Sequence, residues 1–128
     1  MLLLAIVDDD PNDSSALSAL VAEYFKKNNR AYMFRVFNTS MDFIRSTENY
    51  DIVFMDIQMP KMDGYMTTRE IRTLRNNRKA NIPIVAMTAN SFDEDIEMTK
   101  KAGMNGFIAK PLDAEKMFII LKQSIVEN

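Results

Sequence analysis

Residues 54–64 read FMDIQMPKMDG, and the run that leads into them, DIVFMD (51–56), is apolar until it ends on a carboxylate, Asp56. A short apolar run bounded by turn residues fits a strand buried on both faces. A lone acid at the end of such a strand raises the question of what else arrives there. The neighbouring runs answer it. LLLAIVD (2–8), IPIVAMT (82–88) and GFIAK (106–110) have strand length and are mainly apolar, and AYMFRVF (31–37) is interrupted by Arg35 and reads as an edge strand.

Helical patterns fill the gaps between these runs. Over 13–28, Leu17, Leu20, Val21, Tyr24 and Phe25 recur at one helical face, with Asn12, Asp13 and Ser14 as capping candidates. A short helix over 40–47 carries Met41, Phe43 and Ile44, capped by Thr39 or Ser40. A third is expected over 64–77 with Ile71 and Leu74 inward. A fourth over 92–102 stops at Gly103, and a fifth covers 113–126. Strands alternating with helices predict an α/β domain, a parallel sheet covered on both faces. With 128 residues and no linker, repeat or low-complexity segment, 1–128 reads as a single domain.

In an open parallel sheet the functional crevice lies beyond the carboxyl ends of the strands. Strand one ends in Asp8, Asp9 and Asp10, strand three in Asp56, strand four in Thr88 and strand five in Lys110, followed by Pro111; Asn38, at the end of strand two, is given no role. Singly, each has a structural reading: a solvated turn, a turn brace, a helix cap, a surface lysine. Together at one edge they favour a site. Several carboxylates in one crevice repel, so they must be neutralised, protonated or metal-bound. An all-oxygen donor set suits a hard cation such as Mg²⁺. A cation, an ammonium and a hydroxyl around a carboxylate suit phosphoryl transfer, and a carboxylate can itself become an aspartyl phosphate. Asp56 is thus a candidate phosphate acceptor.

Composition narrows the alternatives. The chain has neither cysteine nor histidine, which removes disulfides, thiolate zinc sites and His-based catalysis and is compatible with a reducing cytoplasm. A net charge of −2 gives no basic footprint for nucleic acid. MLLLAIV (1–7) is too short to cross a membrane and lacks the pattern of a signal peptide. The eleven methionines are read as core filler rather than as an adaptable binding surface.

With these residues in place, the whole chain resembles the receiver domains of two-component and phosphorelay signalling, the response-regulator fold. The resemblance rests on VDDD (7–10), MDIQMPKMDG (55–64), AMTAN (86–90) and GFIAKP (106–111) in combination. It implies a flavodoxin-like (βα)5 sandwich with a five-stranded parallel sheet of order 2-1-3-4-5. By position, Asp56 resembles the phosphorylated aspartate. Asp8 and Asp9 resemble the acidic metal pair, with Asp9 the direct ligand and Asp8 acting partly through water. The backbone carbonyl of Gln58 matches the third protein ligand. Thr88 resembles the switch hydroxyl, Lys110 the phosphate-pairing lysine and Phe107 the switch aromatic, and the Lys110–Pro111 bond is expected to be cis. The cofactor implied is Mg²⁺, with Mn²⁺ as a substitute.

The resemblance also implies a partner, a histidine kinase or a histidine phosphotransfer protein that supplies a phosphohistidine, and a cytoplasmic location. The domain would catalyse its own phosphorylation and dephosphorylation rather than turn over alone. Its output face would be the fourth helix, fifth strand and fifth helix, which is also the expected homodimer surface. Asp10 is read as decorating its turn, and Gln58 and Asn90 stand where the family tunes phosphate lifetime. MDIQMPKMDG and AGMNGFIAKP look most like receivers of hybrid sensor histidine kinases. The chain ends soon after the last helix, which fits a stand-alone receiver or an excised domain. In MFIILKQSIV (117–126), Phe118, Ile119 and Ile120 either complete the core or face outward as a partner surface.

Three other readings compete. An Asp-nucleophile, metal-dependent phosphatase would use Asp8 and Asp10 as D-x-D but leaves Asp56 unexplained. A nucleotide or flavin module would need a glycine-rich phosphate loop, and the three glycines form none. A receiver-like chain used only for protein contacts would not need the intact acceptor, acidic pair, threonine and lysine.

Overall fold

The computed structural model describes residues 1–58, 63–88 and 93–124, the side chains of 93 and 94 excepted. Its elements run β1 (Leu2–Val7), α1 (Pro11–Asn28), β2 (Tyr32–Phe37), α2 (Ser40–Arg45), β3 (Ile52–Asp56), α3 (Gly64–Arg72), α4 (Asn77–Ala80), β4 (Ile84–Thr88), α5 (Asp93–Ala102), β5 (Gly106–Ala109) and α6 (Ala114–Ser124). The sheet is parallel throughout, in the order β2-β1-β3-β4-β5. This is the flavodoxin-like arrangement the sequence implies, with β2 at an edge. There Arg35 meets Glu48 at 3.3 Å.

The two-residue period of the strands sorts the core into two layers. Leu4, Ile6, Ile52, Phe54, Val85, Met87 and Ile108 face α1 and α6, where they meet Leu17, Val21, Phe25, Met117 and Leu121. Their neighbours Ala5, Val7, Val53, Met55, Ile84 and Ala86 face the other way, against Phe43, Tyr65, Ile71 and Ala102. Each fully buried large side chain contributes about 2 kcal/mol. The central strands β3 and β4 are buried along their whole length, so Asp56 and Thr88 end the two least exposed strands of the sheet.

Several local expectations change. Asn12, Asp13 and Ser14 do not cap α1. Asp10 does, accepting the Asn12 N–H at 2.9 Å, with Pro11 at the first helical position where its missing N–H costs nothing. The expected helix 64–77 breaks. Thr73 closes α3, and the side chain of Asn76 accepts the N–H groups of Arg78 and Lys79 and starts α4. Met41 is 47% exposed, leaving Phe43 as the buried apolar residue of α2. The methionines divide: Met55, Met87, Met104 and Met117 are buried, whereas Met1, Met33, Met41, Met66 and Met98 are exposed, and positions 59 and 62 lie outside the described residues. Core filling therefore accounts for only part of the methionine content. On α6, Phe118 and Ile120 pack against the first layer while Ile119 is 56% exposed. Gly103 does end α5, at φ +96°.

Two cations, Lys79 buried and Arg72 half-buried, tie the helices together at the amino end of the sheet. The Arg72 guanidinium donates to the carbonyls of Gly103, Ala80 and Ile82 and to Asn105 Oδ1, at 2.7–2.9 Å. Lys79 Nζ donates to the carbonyls of Phe43 and Ile44, both at 2.8 Å, and of Ser46. It thereby satisfies the last carbonyls of α2 and favours the negative end of that helix dipole. Burial lowers the pKa of both groups.

Candidate functional site

Strand register decides what meets at the carboxyl end. Val7 stands opposite Met55, so Asp8, one residue beyond β1, is level with Asp56. Asp56 stands opposite Met87, and Thr88 opposite Ala109, so Lys110 follows directly beyond the threonine. The Lys110 N–H extends that ladder by donating to the Thr88 carbonyl at 2.7 Å. Gly64 lets α3 begin against the end of β3: a Cβ there would lie 2.8 Å from the Asp56 carbonyl oxygen and from the Ile57 Cα, closer than real side chains come.

The carboxylates converge. One oxygen each from Asp8, Asp9 and Asp56 lie within 4.8 Å of one another; Asp8 and Asp56 are buried and Asp9 is exposed. Asp8 Oδ1 accepts the Asp10 N–H at 2.9 Å, and Asp56 Oδ1 accepts the Gln58 N–H at 3.0 Å, which curls the chain back over the acid. Burial, with repulsion from Asp56 and Asp13, outweighs the Asp10 N–H and Lys110 and pushes the Asp8 pKa up to about 6.

Lys110 Nζ faces three acids: Asp13 at 2.7 Å, Asp8 at 3.5 Å and Asp56 at 3.7 Å. Burial alone would lower its pKa, but the hydrogen bond to Asp13 and the charges of Asp56, Asp8 and Asp13 outweigh that, so it lies above the ordinary lysine value. Three carboxylates around one ammonium leave an excess of negative charge. The donors are all oxygen, and exposed Asp9 leaves one side open to water. Such a set fits a hard divalent cation that keeps part of its water shell.

The structure thus brings Asp8, Asp9, Asp56 and Lys110 together as read from the sequence, with Thr88, 1% exposed, at the end of the adjoining strand. Gln58 lies within the turn over Asp56, and its side chain is exposed. Phe107, on β5, is half-buried against the second core layer rather than in the crevice. The Lys110–Pro111 peptide is cis. Asn90 lies outside the described residues. The residue missed is Asp13, considered only as a helix cap although it occupies the first turn of α1, which faces the same crevice. That placement was the available signal. Asp10 decorates the turn in a specific way, by capping α1.

A family model for the response regulator receiver domain matches residues 4–122. The osmosensing histidine protein kinase SLN1 of Saccharomyces cerevisiae is 43% identical over 76 residues, which cover 59% of this chain and 6% of that kinase. The chain therefore spans only a small part of the histidine kinases it resembles. The receiver domain of a sensor histidine kinase from Pseudomonas aeruginosa PAO1, solved with a magnesium ion in its active site cleft, is 30% identical and superposes with a TM-score of 0.80 over 95% of both chains. The chemotaxis protein CheY4 of Vibrio cholerae shares the fold at 19% identity, with a TM-score of 0.82 over 98% of this chain and 99% of that one.

Proposed function

This chain belongs to the response regulator receiver domain family of two-component signalling, and we propose that residues 1–128 form one such domain, with Asp56 as its phosphoryl acceptor. The observation that carries the reading is the pairing of a buried acid at the end of β3 with two more carboxylates within 4.8 Å and an ammonium at 3.7 Å. In the transfer, an Asp56 carboxylate oxygen attacks the phosphorus of a phosphohistidine. The new O–P bond forms as the P–N bond breaks, and the imidazole leaves with the electron pair and takes up a proton. With no histidine in the chain, the donor belongs to another domain or protein, a histidine kinase or a histidine phosphotransfer protein.

Asp8, Asp9, Asp56 and the Gln58 backbone carbonyl would hold Mg²⁺, or Mn²⁺ in its place. When bound, the cation offsets the charge of the phosphoryl oxygens and of the three acids. Lys110 adds a positive charge beside Asp56 and stabilises the transferring group. The Thr88 hydroxyl is drawn toward the phosphoryl oxygen, and Phe107 turns inward from its half-buried position. The face formed by α5, β5 and α6 then changes its preference for partners, a second copy among them through exposed Ile119. The histidine kinase relative and the Mg²⁺-bound neighbour support this reading. Among the described residues no helix is long and apolar enough to cross a membrane, and the reading places the domain in the cytoplasm. The phosphatase alternative would put the Asp10 carboxylate into catalysis, where it instead caps α1.

Intact-mass analysis after incubation with acetyl phosphate and Mg²⁺ tests the reading. One added phosphoryl group is expected in the wild type and none in Asp56→Asn or without Mg²⁺. Repeated turnover of an external phosphate ester, or label that survives Asp56→Asn, would refute it.

A further inference from the structure

Asp13 has no part in the reading above, yet it makes the shortest contact that Lys110 has with any of the three acids. The two residues are 97 positions apart, so the pairing is tertiary and bridges the start of α1 to the end of β5. Asp13 is also fixed in place. It sits in the first turn of a helix whose start is held by the Asp10 cap and by Ser14, 7% exposed, whose hydroxyl donates to the Asp10 carbonyl at 3.0 Å. It cannot follow Lys110 toward the acceptor.

We propose that Asp13 is a positioning residue that draws the Lys110 ammonium to the α1 side of the crevice in the resting protein and so opposes accumulation of the phosphorylated state. The inference rests on Asp56 being the acceptor. A phosphoryl group on Asp56 replaces the single charge of its carboxylate with nearly two on the phosphoryl oxygens, beside an ammonium already shared among three carboxylates. Whatever part of that ammonium Asp13 holds is withheld from the phosphoryl oxygens, and the Asp13 carboxylate adds its own repulsion. Removing its charge therefore favours a phosphoryl group at Asp56. The same change removes a negative charge near the metal ligands, so it does not strengthen binding of the cation alone. These opposite responses separate a positioning role from general loosening of the fold, which would weaken both.

The test is a titration with beryllofluoride, which mimics an aspartyl phosphate, in the presence of Mg²⁺, beside Mg²⁺ alone, for the wild type, Asp13→Asn and Asp13→Ser. Beryllofluoride binding is expected to tighten about three- to fivefold in both variants, the scale of a partly exposed ion pair, while Mg²⁺ binding stays the same or weakens. The Lys110 Nζ resonance in ¹⁵N-lysine-labelled protein should also shift in the variants before any ligand is added. Unchanged or weaker beryllofluoride binding in the variants, or an unmoved Lys110 resonance, overturns the proposal while leaving Asp56 as acceptor. Failure of both variants to fold would make Asp13 structural and overturn it as well. If the wild type does not bind beryllofluoride, the acceptor reading falls and this proposal falls with it.

Discussion

Two lysines at opposite ends of the sheet show how differently one chain can treat the same charge. Lys79, at the amino end, is 8% exposed and surrounded by neutral carbonyl oxygens. Burial lowers its pKa, and no carboxylate contacts its ammonium among the described residues. Lys110, at the carboxyl end, faces three carboxylates, and its pKa is raised. The first arrangement is complete: helix-end carbonyls meet a donor and nothing further is needed. The second has more negative charge than one ammonium can offset. A buried charge alone does not mark a site; an imbalance held in place by rigid strands does.

The largest expected effect tests that division directly. Lys79→Met leaves the α2 carbonyls without their donor and should cost about 3 kcal/mol in urea unfolding. Phosphoryl uptake per folded molecule should be unchanged. Lys110→Met should do the reverse with Mg²⁺ present: a change in stability within about 1 kcal/mol, with phosphorylation by acetyl phosphate slowed at least about tenfold. If both substitutions damaged both properties equally, the contrast would fail.

A smaller effect concerns the imbalance itself. The Asp8 pKa in the folded chain is about 6, against an ordinary value of 3.8. Well below pH 4 this carboxyl is protonated in folded and unfolded chains alike. As pH rises, the unfolded chain ionises first, so the stability of the metal-free protein falls until the folded carboxyl also ionises near pH 6. Asp8→Asn removes this penalty. Its stability relative to wild type should climb between pH 4 and 6 by on the order of 2 kcal/mol and then level off. A difference flat across that range would mean that Asp8 carries no penalty. The smallest effect sharpens the boundary of the site. Asp10→Ala should cost about 1 kcal/mol through the lost cap and leave phosphoryl uptake intact. Lost uptake without lost stability would return Asp10 to the chemistry.

The carboxyl end was legible in the sequence because its logic is local to each strand. Each strand that ends at this edge announced itself as a mainly apolar run, and the residue closing it could be read off, so parallel topology alone brought Asp8, Asp9, Asp56, Thr88 and Lys110 together there. The amino end was not legible. Arg72 and Lys79 look like surface residues of adjoining helical turns, and their partners are carbonyls, which every residue has and which leave no signature. The break between α3 and α4 did leave one, the Asn76–Asn77 pair, but the position of Leu74 suggested a continuous helical face. Asp13 was obscured by a third cause: an acid beside a helix start already has a sufficient explanation as a cap.

Arg72 has a mechanical consequence. Through the Gly103 carbonyl and Asn105 it fastens the trailing end of α5 and the entry to β5 to α3 and to the segment before β4. A rod about 15 Å long, pinned at one end, can swing but cannot slide. Any displacement of α5 that begins beside Thr88 is therefore angular, with its fulcrum at Gly103 and its greatest travel at the opposite end of the helix.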